Sequence, residues 1–421
     1  MKASRVRYGV VGFALTLAIL SYIQRVAISQ AAGPISLEFG FDKQEMGAIL
    51  GAFGLAYALF EIPMGVLGDK IGARRVLTQI VLFWSFFTAL TGAAWSFTSM
   101  WVIRFLFGAG EAGCFPNLTR MLSQWLPRAE RIKAQSLMWA STRWGGAITP
   151  PLALLGINLF GWRWSFVAFA LLGVVWVAFF ASRFKDNPAD HPKVNEAELE
   201  LLRDSHNLVS NAHEGSWLKV LLQPQVFLLM CQYFCWSYIW YFFVTWMPTY
   251  LQEAHGQTLA MTAGLSVLPL LMGGFGSLLS GLLPLSWNRQ YIAIGCFVVV
   301  FALLIALAQA PSVGMAVLLM AAISFTGDIT VPISWNSCVE IGKRYTATVA
   351  SAMNMFANFS GFAAPWIAGI VLQRNGNDWN QILYIMAGFA ALGAVLWLFI
   401  DPTGEKAARR SAPEPATSLQ P

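Results

Sequence analysis

Long apolar runs, broken by a few polar positions and separated by short charged loops, recur along the whole chain. Runs near the length that crosses a bilayer as a helix, about 20 residues each, cover 10–33, 45–67, 75–94, 99–123, 134–156, 163–183, 224–251, 261–284, 290–309, 313–338, 346–372 and 380–400. The pattern predicts an all-α membrane protein with twelve transmembrane helices. The only long internal polar segment, KDNPADHPKVNEAELELLRDSHNLVSNAHEGS at 185–216, separates six spans from six. The expected organisation is an N-terminal six-helix bundle over 1–184, a connector over 185–217, a C-terminal six-helix bundle over 218–400 and a disordered tail over 401–421. The connector reads as solvated, with NEAELELLR forming a short amphipathic surface helix.

Composition agrees with lipid as the solvent. Hydrophobic residues make up 57% of the 421 positions and charged residues 11%, against about a quarter charged in soluble domains. The 18 tryptophans and 31 phenylalanines suit interfacial belts and lipid-facing surfaces. A net charge of +6 could point to nucleic acid, but its distribution points to topology. With the N-terminus in the cytoplasm, Lys70, Arg74, Arg75, Arg128, Arg131, Lys133, Lys343 and Arg344 fall inside with most other basic residues, and only Lys43, Arg163 and Arg374 fall outside. The first twenty residues have the form of a signal peptide, yet the apolar run continues through Val26 to Ala32, so an uncleaved first helix is expected. The expectation is a multi-pass inner-membrane protein with both termini cytoplasmic, acting as a monomer without nucleic acid. The five cysteines lie in apolar stretches without metal-type spacing and the four histidines in polar loops, so neither a metal nor a cofactor is expected.

Ionisable residues inside spans carry the functional signal. An arginine at the centre of a membrane helix costs roughly 2.5–3.5 kcal/mol on insertion scales, so it needs a partner or water. The set comprises Arg25, Glu61, Arg104, Glu111, Arg120, Arg143 and Asp328. Arg120 sits near a span end and can snorkel. Arg104 and Glu111 are seven residues apart, about 10.5 Å along one helix face, and share that face without touching. Glu111 is the proton-site candidate, because burial and a nearby guanidinium push a carboxyl in opposite directions; a static buried ion pair is the alternative. The halves also echo each other. GAITP at 146–150 precedes Trp164 and Gly173 as GFAAP at 361–365 precedes Trp379 and Gly388, which sets Arg143 opposite Asn358. Asn354 and Asn358 lie at i and i+4 on one face.

Between the second and third spans stands GVLGDKIGARR, Gly65 to Arg75, which resembles the loop signature of the major facilitator superfamily. Gly65 and Gly72 permit close helix approach and a tight turn, while Asp69 can cap the next helix or pair with Arg74. The corresponding second-half loop has no acid at that place. Further segments, YIQR at 22–25, GAFGLAYALFEIPMGVLGD at 51–69, RFLFGAGEAGCFPN at 104–117, QWLPRAERIKA at 124–134 and TWMPTYL at 245–251, resemble the anion:cation symporter branch. That branch includes bacterial galactonate, glucarate and hexuronate carriers and couples proton or sodium movement to organic anions or phosphate.

The resemblance implies that Arg25 binds the substrate anion, and that Tyr22, Tyr57 and Trp335 are aromatic positions of the site. One departure is plain: the sugar-acid members have Asp where this chain has Gln24, and a glutamine cannot carry a proton. Glu61 and Arg143 are further departures, and Glu61 is expected either to supply the lost charge by pairing with Arg25 or Arg143, or to anchor a loop. Asp328 could be a cation site, without a named partner. The expected substrate site is Tyr22, Arg25, Tyr57, Arg143, Trp335, Asn354 and Asn358, with Glu111 and Glu61 in proton coupling and Gly65, Asp69, Gly72 and Arg74 in the gating loop.

The expected function is cation-coupled, in the first instance proton-coupled, symport of a small organic anion such as a sugar acid by alternating access. Rival readings are an aromatic or other carboxylate carrier driven by sodium or membrane potential, and a transporter-like sensor. No nucleophile, intramembrane histidine or metal constellation supports an enzyme.

Overall fold

A computed structural model describes residues 2–210, 216–258, 261, 264–376 and 378–402, and all regular structure among them is helical. Span 1 is Val6–Phe39, span 2 Lys43–Ile71 and span 3 Ala73–Thr91. Span 4 runs as Phe97–Glu111 and resumes as Cys114–Trp125, with a two-residue break at Ala112 and Gly113. Spans 5 and 6 are the two arms of Arg128–Arg183, which bends at Gly161, where a φ of 74° favours a residue without Cβ. In the second half, span 7 is Pro224–Thr245 continued by Met247–Glu253, span 8 contains Val267–Leu282, and span 9 is Arg289–Ala308. Span 10 is Val313–Asp328 continued by Thr330–Gly342, span 11 is Thr346–Arg374 and span 12 is Trp379–Phe399.

Local chemistry explains several ends. Reciprocal capping boxes start span 2, through Asp42 and Glu45, and span 4, through Ser96 and Ser99. Span 1 stops at Gly40, whose left-handed backbone returns its N–H to the Ser36 carbonyl.

Within the first half span 1 packs on the Arg128–Arg183 helix and span 2 on span 4; within the second, span 7 packs on span 11 and span 8 on span 10. The halves meet through span 2 against span 11 and through the Arg128–Arg183 helix against spans 8 and 10. On the face that carries the N-terminus this seam is tight. A Cβ on Gly65 would collide with the Ser351 side chain and the Ala347 carbonyl, and one on Gly281 would come within 2.9 Å of the Ser136 side chain.

The gating loop corrects the pairing expected from sequence. Asp69 does not pair with Arg74. It accepts from Ala347 N at 3.2 Å, Thr348 N at 2.8 Å and Thr348 Oγ1 at 2.7 Å, so it caps the N-terminus of span 11 in the other half. It also pairs with Arg120, which is buried rather than snorkelling and donates a second bond to the Arg344 carbonyl at 2.8 Å. Arg74 turns away, its backbone N–H donating to Asp186 at 2.9 Å and its guanidinium to Ala181 O. Gly72 makes the turn with a φ of 91°, hard against the Asp186 carboxylate. Arg131 and Arg128 meet Glu340 at 3.2 and 3.4 Å and add a second tie between halves on the same face.

The connector is less solvated than its composition suggests. Its helix forms as expected, over Glu196–Ser210, but Glu198 is fully buried. That carboxylate accepts from Ser4 Oγ at 2.6 Å, Val6 N at 3.3 Å, Arg7 N at 3.2 Å and Arg7 Nη1 at 3.1 Å, which caps the first turn of span 1. Four donors at one helix start outweigh the polarity that placed it in water. The expected disordered tail lies, from residue 403 onward, outside the described residues.

Replacing Gly65 with Val should wedge this seam open. In protein carrying Ser136→Cys at the neighbouring contact, the wedge is expected to raise maleimide labelling several-fold; equal rates would remove Gly65 from the packing of the closed face.

Candidate functional site

Arg25 lies in span 1 with its ring neighbours supplied by its own helix and span 2. Its guanidinium carbon is 5.3 Å from the Tyr22 ring, 4.7 Å from Phe53 and 4.9 Å from Tyr57, a cage of electron-rich faces that partly replaces water around the cation. Nη2 donates to Glu111 Oε1 at 3.0 Å. Glu111 is the last residue of the first arm of span 4, so the break that follows is where its carboxylate meets span 1. The pair is only half satisfied: Glu111 Oε2 and Arg25 Nε have no partner among the described residues. Glu111 is 0% exposed while the Arg25 side chain keeps 23% exposure, so the cation is the reachable member.

Arg104 stays close to this pair electrostatically but does not bond to Glu111. Its guanidinium lies 4.3 Å from the Phe107 ring, at 2% exposure, with Nε and Nη1 unpartnered among the described residues. The seven-residue spacing therefore held, and the direct partner of Glu111 came from another helix.

Glu61 corrects another expectation. It pairs with neither Arg25 nor Arg143. Fully buried, it accepts from the side-chain amides of Asn354 and, at 3.1 Å, of Asn358, both on span 11 of the other half. Tyr241 Oη donates onward to Asn358 Oδ1 at 2.9 Å. The i and i+4 spacing of the two asparagines lets one carboxylate take both amides.

Arg143 finds the acid that had no named partner. Nε and Nη2 donate to the two Asp328 oxygens at 2.7 and 2.8 Å, a bidentate fork that joins span 5 to span 10 across the halves. The Trp240 ring lies 4.4 Å from the Arg143 guanidinium carbon.

Trp335 is fully buried, gives its indole N–H to Tyr233 Oη at 2.8 Å and sits 4.9 Å from Trp139, which stacks 5.0 Å from Phe115, itself 6.4 Å from Tyr22. Gln24 is fully buried, and its amide donates to the Phe169 carbonyl at 2.5 Å, which ties span 1 to span 6. Tyr241, Phe53, Tyr233 and Trp240 join the site's surroundings only in the fold, because a sequence this rich in aromatics does not single them out. Asp328 was visible as a stray intramembrane acid, but its partner lay 185 residues away. Three arginines and three carboxylates within the spans thus sort into an Arg25–Glu111 pair with Arg104 nearby, an Arg143–Asp328 pair, and Glu61 held by two asparagines.

A twelve-span bundle with this loop between spans 2 and 3 invites comparison with known transporters. The family model of the Major Facilitator Superfamily matches residues 14–365. The chain belongs to the major facilitator superfamily. It is a multi-pass membrane transporter of that superfamily and not an enzyme. A protein named as a probable sulfoacetate transporter of Cupriavidus necator is 32% identical, with 94% of each chain covered. One named as a probable galactarate/D-glucarate transporter of Escherichia coli K12 is 28% identical over 95% of each chain. The anion-transporter resemblance read from the motifs is thus supported by whole-chain similarity. The fold matches a solved proton:xylose symporter with a TM-score of 0.75 at 14% identity, covering 94% of this chain and 96% of that one.

The Glu61 network makes a stability prediction. Asn354→Ala removes a donor from a buried carboxylate and should cost about 1–3 kcal/mol, read as a lower melting temperature in detergent. Adding Glu61→Leu should recover most of that loss; additive losses would show that the groups are not coupled.

Proposed function

We propose that this major facilitator protein takes up a small organic anion by cation-coupled symport, with the proton as the coupling ion and Glu111 as its site. The observation that carries the reading is the half-satisfied pair of a reachable Arg25 and a buried Glu111. An ionised Glu111 occupies the cation. A proton on Glu111 releases it, and Arg25 can then take a substrate carboxylate with a planar fork of donors. Proton and anion favour each other's binding through one guanidinium, and by linkage the effect is reciprocal.

Tyr22 and Tyr57 flank Arg25 and offer hydroxyl groups to a polar anion. Asn354 and Asn358, whose amides are held by Glu61, join only if that carboxylate gives them up. The named relatives bear on chemistry: sulfoacetate and galactarate or glucarate each carry two acidic groups on a short carbon chain. The proposed substrate class is therefore an aliphatic acid of that size, with sugar acids included. An aromatic carboxylate fits less well, because the aromatic rings here surround the cation rather than line a slot.

The two halves 1–184 and 218–400 rock about this site, and the face carrying both termini is the cytoplasmic one, as the distribution of basic residues supports. The ties at Asp69 and Glu340 hold that face shut, so anion enters from the opposite side. The transporter works as a monomer in the inner membrane.

Arg25→Ala should abolish anion-induced thermal stabilisation of the purified protein, and retained stabilisation would remove Arg25 from the site. Glu111→Gln in proteoliposomes should keep anion exchange but lose accumulation driven by a proton gradient; accumulation equal to wild type would exclude Glu111 as the coupling group, and a sodium requirement would reassign the ion.

A further inference from the structure

The bidentate pair of Arg143 and Asp328 is a buried tie between the two halves. Arg143 projects from span 5 of the first half, and both its bonds end on span 10 of the second. Span 8 closes over the pair at Gly273, where a Cβ would collide with Asp328 Oδ2 and lie 3.8 Å from Arg143 Nε. The Trp240 ring covers the guanidinium from span 7. Three helices of the second half therefore grip one cation of the first.

Tyr22 connects this cation to Arg25. Its ring lies 5.3 Å from the Arg25 guanidinium carbon and packs on Gly146, one turn beyond Arg143, 3.3 Å from where a Cβ would be. Tyr22 and Tyr241 both lie within electrostatic reach of the two guanidinium groups.

The pair cannot survive every step of transport unchanged. Spans 5 and 10 belong to halves that must part on the closed face, and a buried ion pair pulled apart leaves two uncompensated charges. A carboxylate that reaches Arg143 from the substrate can take over both donor bonds with the geometry Asp328 now uses.

We propose that Asp328 is a built-in stand-in for a second acidic group of the substrate, and that Arg143 is the residue that selects anions with two acidic heads over anions with one. The proposal rests on the transport reading above and names its substrate class. One head binds Arg25 and the other exchanges with Asp328 on Arg143, so only a two-headed anion releases the tie between the halves. A one-headed anion binds at Arg25 and leaves the tie closed, which makes it an inhibitor and not a cargo.

The test uses the full-length purified protein and paired probes: sulfoacetate against acetate, and D-glucarate against D-gluconate. Wild type should bind the two-headed member of at least one pair ten-fold or more tightly, and only that member should be taken up into proteoliposomes. Arg143→Gln should erase the preference by weakening the two-headed probe while leaving the one-headed affinity within two-fold. Asp328→Asn should tighten the two-headed probe several-fold, because the internal competitor is weakened. Arg143→Lys and the neutral double variant R143Q/D328N keep the site filled and test whether any loss is folding alone; the double variant should fold, bind one-headed probes as wild type does, and show no preference. A preference that survives in R143Q or in the double variant overturns the proposal. Equal affinity of wild type for both members of each pair overturns it as well, while leaving Arg25 as an anion site. Absence of any anion binding in wild type overturns the transport reading itself.

Discussion

Every charged side chain at membrane depth needs a counterpart, because lipid supplies none. In this transporter the counterparts come from other helices: Glu111 of span 4 meets Arg25 of span 1, and Asp328 of span 10 meets Arg143 of span 5. Glu61 of span 2 is held by two amides of span 11. Each neutralisation is therefore also a tie between elements, and its mechanical meaning depends on which elements it joins. The Arg25 pair lies within one half, so its protonation state can change without moving the halves. The Arg143 and Glu61 contacts cross the seam, so the halves cannot part there without breaking them. The proposed coupling and the proposed opening therefore draw on different pairs.

The closed face obeys another rule. Asp69, Arg120, Arg131 and Glu340 are nearly buried in the closed face; in the proposed opening they return to water, where an ion pair contributes little net stability, about 0–1 kcal/mol. In that cycle such ties make a reversible door. Capping adds directionality, since Asp69 satisfies orphan N–H groups of span 11 that water can also satisfy when the door opens. The midplane contacts have no such substitute except a ligand or a proton, which is the condition for transport without leak.

Hydropathy, basic-residue distribution and the loop from Gly65 to Arg75 are properties of contiguous sequence, and they made the twelve spans, the superfamily and the list of intramembrane charges legible. Partners were not legible, because pairing depends on depth and rotation of helices far apart in the chain. Asp69 illustrates the limit: a local reading offers Arg74, five residues on, whereas the folded chain offers the start of span 11. Glu198 illustrates it in a loop, where a charge-rich segment reads as solvated until a helix N-terminus is found beneath it. Gln24 was recognisable as a departure, but its bond to the Phe169 carbonyl, which ties span 1 to span 6, was not. Asn354 and Asn358 were placed on one face by spacing alone, and the carboxylate they share belongs to the other half.

Arg104 sharpens the proposed coupling. It lies within electrostatic reach of Glu111 and Arg25, bonds to neither and is nearly sealed from solvent. Its charge is a fixed background that cannot be screened by water. With Glu111 neutral and no anion present, two guanidinium groups face each other across a low-dielectric space without a counter-charge. With Glu111 ionised and an anion present, two negative groups compete for the free edge of Arg25. The fixed charge acts differently on the two mixed states: it raises the protonated, empty one, through which a proton would slip alone, and lowers the ionised, loaded one, which holds two negative groups beside two cations. Exclusion of an anion that arrives without a proton therefore rests on the competition of two negative groups for Arg25, while Arg104 guards against the opposite leak.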